Sequence, residues 1–410
     1  MRLLVASGRR GGVLISHLIV VARKRIPISL LHRAVRLRRR VVRSFWPRIS
    51  FVKGVTTTAE LESKSMLESH GISVTVLCDE STLIPKPAQI VGAENWDAFA
   101  VQKIDFRPVR QFAIANGTYV PKFSATITQD GLLLDDLSLE FGGPSGDIEG
   151  YERAIFASRT PKVDVFNGRL LVVDSAGFEN PFHWIVNVLP KFVWANSKGV
   201  EFDALAVRFE SKFHRDVFEE FLDGNVPIVP ISDKRSVKAD MLLVSNLPCS
   251  PGATLPSVLK EIRQKFVCSS PSASRRKVYV SRQHARGRRL AKGMAVEAAL
   301  EKHGFETVLP ESLSHSQRRA VFGSASVILG VHGAGLTNMI YAPEDCAVIE
   351  IMNPGYRNVS YWLLAESLGL DYLSIVGDGE LSSRDSDSYD CFGDVRIKPD
   401  ALTELLKCIK

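Results

Sequence analysis

The chain has 410 residues, 45% hydrophobic and 24% charged, which is ordinary composition for a folded protein and enough for two large cores. Its six cysteines, at 78, 249, 268, 346, 391 and 408, form no C-x-x-C pair, which speaks against a zinc site or a disulfide framework and for a reducing compartment. The formal net charge of +7 is uneven: residues 1–59 hold 12 Arg and 2 Lys with no acidic residue, so the remainder is mildly acidic.

The basic excess belongs to an N-terminal arm, residues 1–50. Val13–Ala22 is apolar but short, whereas a membrane-spanning helix needs roughly 20 residues. Arginines flank it on both sides and no small-x-small cleavage pattern follows. Over residues 29–45, Leu30, Ala34, Leu37, Val41 and Phe45 recur at helical spacing, with Arg33, Arg36, Arg40 and Arg43 on the opposite face. This basic amphipathic helix suits the headgroup region of an anionic membrane. The competing readings are an arm packed on the body, a cleaved targeting peptide, or a nucleic-acid contact; few aromatics interleave with the arginines, and no nucleic-acid partner is expected.

Residues 51–270 read as an N-terminal α/β domain. Ser73–Cys78 alternates as a strand. Gln111–Ala115, Thr118–Pro121 and Leu132–Leu134 predict a meander with turns at Asn116-Gly117 and Asp130-Gly131. Strands at Arg169–Asp174, Asp203–Arg208, Pro227–Val229 and Met241–Val244 alternate with helices, which predicts parallel pairing. Between the first two lies FHWIVNVLPKF, with Asn180 and Pro181 opening a helix. His183, Trp184, Asn187 and Lys191 fall at helical spacing near its start. A histidine in a first helical turn is held neutral by the helix dipole and can act as a base.

Residues 271–410 read as a Rossmann-like domain. Lys277–Ser281 is a strand running into Arg282 and a loop with Arg286, Arg288 and Arg289. Helices are expected at Met294–His303, at Leu313–Gly323 with Ser312 or Ser314 as cap, at Tyr361–Leu368, and at Leu402–Ile409. The apolar run ending at Val331 breaks into His332-Gly333-Ala334-Gly335 and restarts as a helix at Leu336 with Asn338 in its first turn. Two glycines in three residues permit a sharp turn and close approach to a ligand. The next strand ends at Glu350, a carboxylate placed to hold sugar or ribose hydroxyls. Since ligands of doubly wound sheets bind beyond the carboxyl ends of the strands, the arginine loop and the glycine turn predict a diphosphate site. The glycine spacing is not G-x-G-x-x-G, which weighs against a nicotinamide-dependent oxidoreductase. Asp385-Ser386-Asp387 sits in a Ser/Asp-rich stretch and is not read as a metal site.

The segments FHWIVNVLPKF and VYVSR through HGAGLTNMIYAPEDCAVIEI resemble glycosyltransferase family 61, the DUF563 group, whose bacterial members are often labelled capsular polysaccharide biosynthesis proteins. The resemblance covers about residues 165–376. It implies two Rossmann-like domains facing a cleft (GT-B-like) and inverting transfer of a sugar from a nucleotide diphosphate donor, usually UDP-linked, to a hydroxyl of a glycan or polysaccharide. It implies donor contacts from Arg282, Arg289, His332, Gly333, Ala334, Gly335, Leu336, Asn338 and Glu350, with His183 as base ahead of His332. Trp184, Asn187 and Lys191 are then on the acceptor side. Arginines that neutralise the diphosphate leave no cofactor or metal required. Apart from the resemblance, which does not cover the arm, the cysteines and residues 29–45 point to a cytoplasmic location, peripheral on the membrane. Two positions depart from the family pattern: Asn187 where members often carry an acid, and Lys292-Gly293 where they often carry Asn-Glu. A catalytically degenerate, membrane-associated assembly partner is the alternative reading.

Overall fold

The computed structural model describes residues 52–397 apart from 93–98, 142–148, 158–160, 223, 249–252, 267–274, 292, 380, 383–384 and 390–391. The basic arm and the expected closing helix at 402–409 lie outside the described residues. Among the described residues no helix is long and apolar enough to cross a membrane.

Two large sheets organise the chain. In the first, Lys162–Val173 lies between Ala204–Val207 and Arg235–Ser245, parallel to both, and Ile228–Pro230 extends the parallel part. Leu170–Val173 and Leu242–Val244 are buried on both faces, as the sequence runs imply. The expected meander is present on the other side. Val109–Ala115 and Thr118–Val120 run antiparallel to Arg235–Ser245, and Ala125–Ile127, Leu132–Leu134 and Gly54–Thr56 follow outward. The turn between the first two meander strands holds Asn116 at φ 51°, a left-handed conformation that asparagine tolerates.

The second sheet is parallel throughout, in the order Phe305–Val308, Arg276–Val280, Ala325–Val331, Ala347–Met352, Asp371–Val376, Gln89–Val91. Its last strand comes from the N-terminal half of the chain, so the two halves interleave in sequence. From Arg276–Val280 the chain steps one way to Phe305–Val308, then crosses back to Ala325–Val331 and continues the other way. The strand order therefore reverses between Arg276–Val280 and Ala325–Val331, and that gap is the topological switch point at which such sheets bind ligands.

A single apolar cluster joins the two sheets. It takes in Trp184, Phe192, Phe218, Ile262 and Phe266 from the first half and Ile328, Leu336, Tyr341 and Trp362 from the second. Within it the buried Arg263 bonds the carbonyls of Ala342 (2.7 and 3.0 Å) and Leu368 (2.9 Å). Its charge thereby meets the carbonyl ends of two helical segments, where a cation is favoured. Asp385–Tyr389, which carries the Asp-Ser-Asp triplet, is a strand paired with Leu381–Ser382.

Candidate active site

The strands Arg276–Val280 and Ala325–Val331 deliver Arg282 and His332 to the same edge, with Val280 paired to Gly330. After His332 the chain forms a 3₁₀ helix over Ala334–Tyr341 where an α-helix was expected. Gly333 is extended rather than left-handed (φ 164°, ψ 169°), so the turn does not depend on glycine's backbone freedom. It depends on the missing side chain: a Cβ on Gly333 would sit 1.6 Å from Nη1 of Arg282 and 2.5 Å from its Cζ. At Gly335 a Cβ would lie 2.6 Å from Cγ1 of Val280. The expected close approach is real, but it is the guanidinium of Arg282 and the neighbouring strand that approach. Asn338 pins the turn by donating to the Gly335 carbonyl at 2.7 Å, while its Oδ1 is buried without a partner. Leu336 is fully buried and its amide already bonds the Gly333 carbonyl at 2.9 Å.

Arg282 donates to the carbonyls of Gly287 (2.9 Å) and Arg288 (3.1 Å) rather than to a carboxylate. Burial, and then the positive charge of Arg288, lower its pKa. Arg288 is held in a left-handed conformation (φ 53°) with its guanidinium 4.2 Å over the Tyr356 ring, and its Nε and Nη1 are buried without a hydrogen-bond partner. Each such orphaned donor costs about 1–3 kcal/mol in the absence of a ligand. Two neighbouring guanidinium groups without a carboxylate between them have the chemistry to receive an anion. Arg289, the expected second arginine, is paired with a carboxylate. It is half exposed and its guanidinium bonds Asp394 at 3.0 and 3.2 Å. Arg282 therefore has two arginine neighbours: Arg288, whose charge acts on it, and Arg289, which shares a cavity with it. Arg282 and Arg289, with Gln283, Leu290, Glu297 and Asp394, line a cavity of about 240 Å³ at the end of the Arg276–Val280 strand.

His332 is buried, and its Nδ1 hydrogen-bonds Glu350. The other oxygen of Glu350 accepts from the Tyr372 hydroxyl at 2.5 Å. Glu350 is wholly buried with both oxygens engaged, so it does not present a carboxylate to hydroxyls at the sheet edge as expected; it fixes His332 instead. A carboxylate on Nδ1 leaves Nε2 as the basic nitrogen of the ring. The rings of Tyr356 and Tyr361 meet the imidazole edge-on at 5.0 and 4.9 Å.

The FHW segment reaches the same place from the first half. Asn180 caps it, accepting from the Phe182 N–H at 3.0 Å, and Pro181 occupies the first turn. The helix then widens into a π turn over Trp184–Val188 before continuing as Leu189–Ser197. The cause is Pro190, which has no N–H to donate and whose ring crowds the Val186 carbonyl. His183 packs against Phe141 (5.1 Å) and Phe182 (5.4 Å); Phe182 in turn meets Tyr361 at 5.0 Å. A continuous run of rings thus links His183 to His332. Burial lowers the pKa of His183, with Asn187 acting in the opposite direction, so the ring is neutral at physiological pH. Its Nδ1 and the Oδ1 of Asn187 are both buried without a hydrogen-bond partner.

The other two expected acceptor-side residues lie elsewhere. Trp184 is fully buried, stacked on His214 at 5.1 Å and 2° between planes. It is a core residue, because successive residues of a helix point about 100° apart and His183 takes the site side. Lys191 is buried two turns on, donating to the Asp174 carbonyl at 2.7 Å, and burial lowers its pKa to about 8.

Residues 182–349 match the family model described as Glycosyltransferase 61. The resemblance carried by the FHW, VSR and HGAG motifs is thereby borne out over that span. An alpha-1,3-arabinosyltransferase of Oryza sativa subsp. japonica is 34% identical over 111 residues, 25% of this chain and 18% of that protein. A beta-1,2-xylosyltransferase of the same plant is 31% identical over 138 residues, 32% of this chain and 24% of its own length. A second beta-1,2-xylosyltransferase is 41% identical over 59 residues, 14% of this chain and 11% of its own length. The matched stretches therefore span less than a quarter of each relative. The glycosyltransferase 61 match contains His183, Arg282, Arg288 and the whole HGAG turn, and ends one residue before Glu350.

Proposed function

We propose that this chain is an inverting glycosyltransferase that takes a sugar from a nucleoside diphosphate donor, UDP-linked in the first instance, and delivers it to a hydroxyl of a glycan. The carrying observation is the pair of guanidinium groups, Arg282 and Arg288, set without a carboxylate against Gly333 at the switch point. A leaving diphosphate needs positive charge, and this pair offers two bidentate donors in a partly dry setting. The amides of Ala334 and Gly335, at the start of the 3₁₀ helix, add further donors. His332, oriented by Glu350, lies beside the donor, and His183 takes the proton of the acceptor hydroxyl. The two sheets then act as the donor and acceptor halves of a GT-B-like arrangement. The names of the plant relatives make pentosyl donors the first class to try, UDP-xylose and UDP-arabinose.

The test is calorimetric titration of UDP. Wild-type protein is expected to bind it, and Arg282→Ala or Arg288→Ala to lose about 10- to 100-fold in affinity. His183→Ala should bind UDP as the wild type does while losing transfer. Unchanged UDP affinity in both arginine variants would overturn the diphosphate site.

A further inference from the structure

The first sheet carries a second pocket that the donor site does not use. Lys162–Val173 and Arg235–Ser245 are parallel neighbours, so Asp174 and Ser175, just past one strand, and Ser245, at the end of the other, share the carboxyl edge of that sheet. Together with Tyr119, Arg153 and Lys191 they line a cavity of about 310 Å³, at the small end of the roughly 300–1,000 Å³ range of ligand clefts.

Its polar groups are only partly satisfied. The hydroxyls of Ser175 and Ser245 are buried with no hydrogen-bond partner, and so is Nη1 of Arg153. These residues are 2%, 2% and 3% exposed. Lys191 uses its ammonium on the Asp174 carbonyl, which leaves further protons to donate. Around them three cations of the lining, Arg107, Arg153 and Lys191, face four carboxylates, and Arg208 pairs with one of these. Asp174 is paired to Arg208 at 2.9 Å and accepts from the Tyr119 hydroxyl at 2.8 Å. Arg153 is paired to Asp135 at 2.6 Å. A pocket of mixed charge, whose buried ions Asp174 and Arg153 are paired within the protein and whose orphaned groups both donate and accept, is matched by a ligand whose own groups do both. That is the chemistry of vicinal hydroxyls, not of a phosphate or a carboxylate.

The position adds to this. The segment that leaves Asp174 and Ser175 runs through Gly177, where a Cβ would lie 3.2 Å from the His183 ring, so the pocket wall and the His183 cradle are one loop. We propose that this cavity is a sugar-binding subsite that holds a neutral, hydroxyl-rich unit of the acceptor, with Ser175, Ser245, Arg153 and Lys191 as its hydrogen-bonding groups. The assignment to the acceptor rests on the glycosyltransferase reading; the sugar chemistry of the pocket does not.

The test is saturation-transfer NMR with the methyl glycosides of xylose, arabinose, glucose, galactose and mannose, using the full chain without nucleotide. At least one glycoside should be saturated by the wild type. Ser175→Ala should weaken it about three- to tenfold, the effect of one neutral hydrogen bond. Ser245→Leu, which fills the cavity, should abolish it, and UDP titration of each variant reports that the fold and the donor site are intact. Should Ser245→Leu fail to fold, Ser175→Ala together with Arg153→Lys decides the matter. Saturation of no glycoside, or equal saturation in the variants, overturns the subsite while leaving UDP binding untouched. Glycoside binding lost in the variants with no UDP binding in the wild type would keep the subsite and overturn the transferase reading.

Discussion

Gly333 has no side chain because Arg282 occupies the place where one would be. An alanine there puts its methyl 1.6 Å from Nη1, and the guanidinium must leave the carbonyls of Gly287 and Arg288 to make room. The expected result for Gly333→Ala is an affinity for UDP about tenfold or more below wild type, the scale of one displaced charged hydrogen bond, with a thermal midpoint close to wild type. Calorimetric titration beside a melting curve checks both halves; wild-type affinity would mean that Arg282 does not serve the diphosphate. The glycine was legible in the sequence as a point of close approach, since a strand ending in two glycines says that something comes near the backbone. What comes near was not legible. Arg288 and Arg289 are adjacent in an irregular loop with no periodicity to orient them, and the left-handed backbone at Arg288 sends one over Tyr356 and the other to Asp394. Glu350 was legible as a strand-end carboxylate but not as a wholly buried one, because its partner Tyr372 comes from the next strand.

Helix ends were readable where a side chain bonds the backbone locally, and unreadable where the backbone departs from the α form. The segment before His315 offered Ser312 and Ser314 as caps. The structure selects Ser314, whose hydroxyl accepts from the Gln317 N–H at 3.2 Å while the Gln317 side chain accepts from the Ser314 N–H at 2.9 Å. Ser314 is the choice because only it has a glutamine three residues on, the second half of a capping box. Ser314→Ala should lower stability by about 1 kcal/mol and leave UDP binding unchanged, as measured by urea denaturation and titration. A loss below the scatter of the denaturation curves would show that solvent replaces the cap. By contrast, the π turn at Trp184–Val188 changes the rotation between His183 and Lys191 in a way that regular 3.6-residue spacing cannot anticipate. Pro190 was visible in the sequence, yet its effect falls on the turn before it, so the placement of Lys191 in the second pocket was not legible.

At the scale of the molecule, the alternation of strand and helix identified two parallel arrangements, but pairing between distant segments is not written locally. Gln89–Val91 joins the second sheet beside Asp371–Val376 through backbone bonds to which its own sequence gives no clue. The halves are further tied by side chains. Arg318 of the second half lies 4.1 Å over the Phe213 ring of the first, and Glu220 bonds both His315 (2.8 Å) and Arg319 (3.2 Å). His214, next to Phe213, makes this junction sensitive to acid. Its Nδ1 accepts from the Glu210 N–H at 3.3 Å, its ring is stacked on Trp184, and its Nε2 is buried without a partner. Protonating Nδ1 would set a donor against a donor, and burial, followed by the charge of Arg318, lowers the pKa to about 4. An unfolded histidine titrates near about 6.5. Between those values the unfolded chain holds a proton that the folded chain refuses, so stability is full above the higher value and is lost as pH falls toward the lower. The loss is on the order of 2 to 3 kcal/mol. His214→Phe keeps the stacking on Trp184 and has no proton to take up, so its urea midpoint should fall less than that of the wild type between pH 7 and pH 5. Parallel falls in the two proteins would show that His214 is not held neutral in the fold.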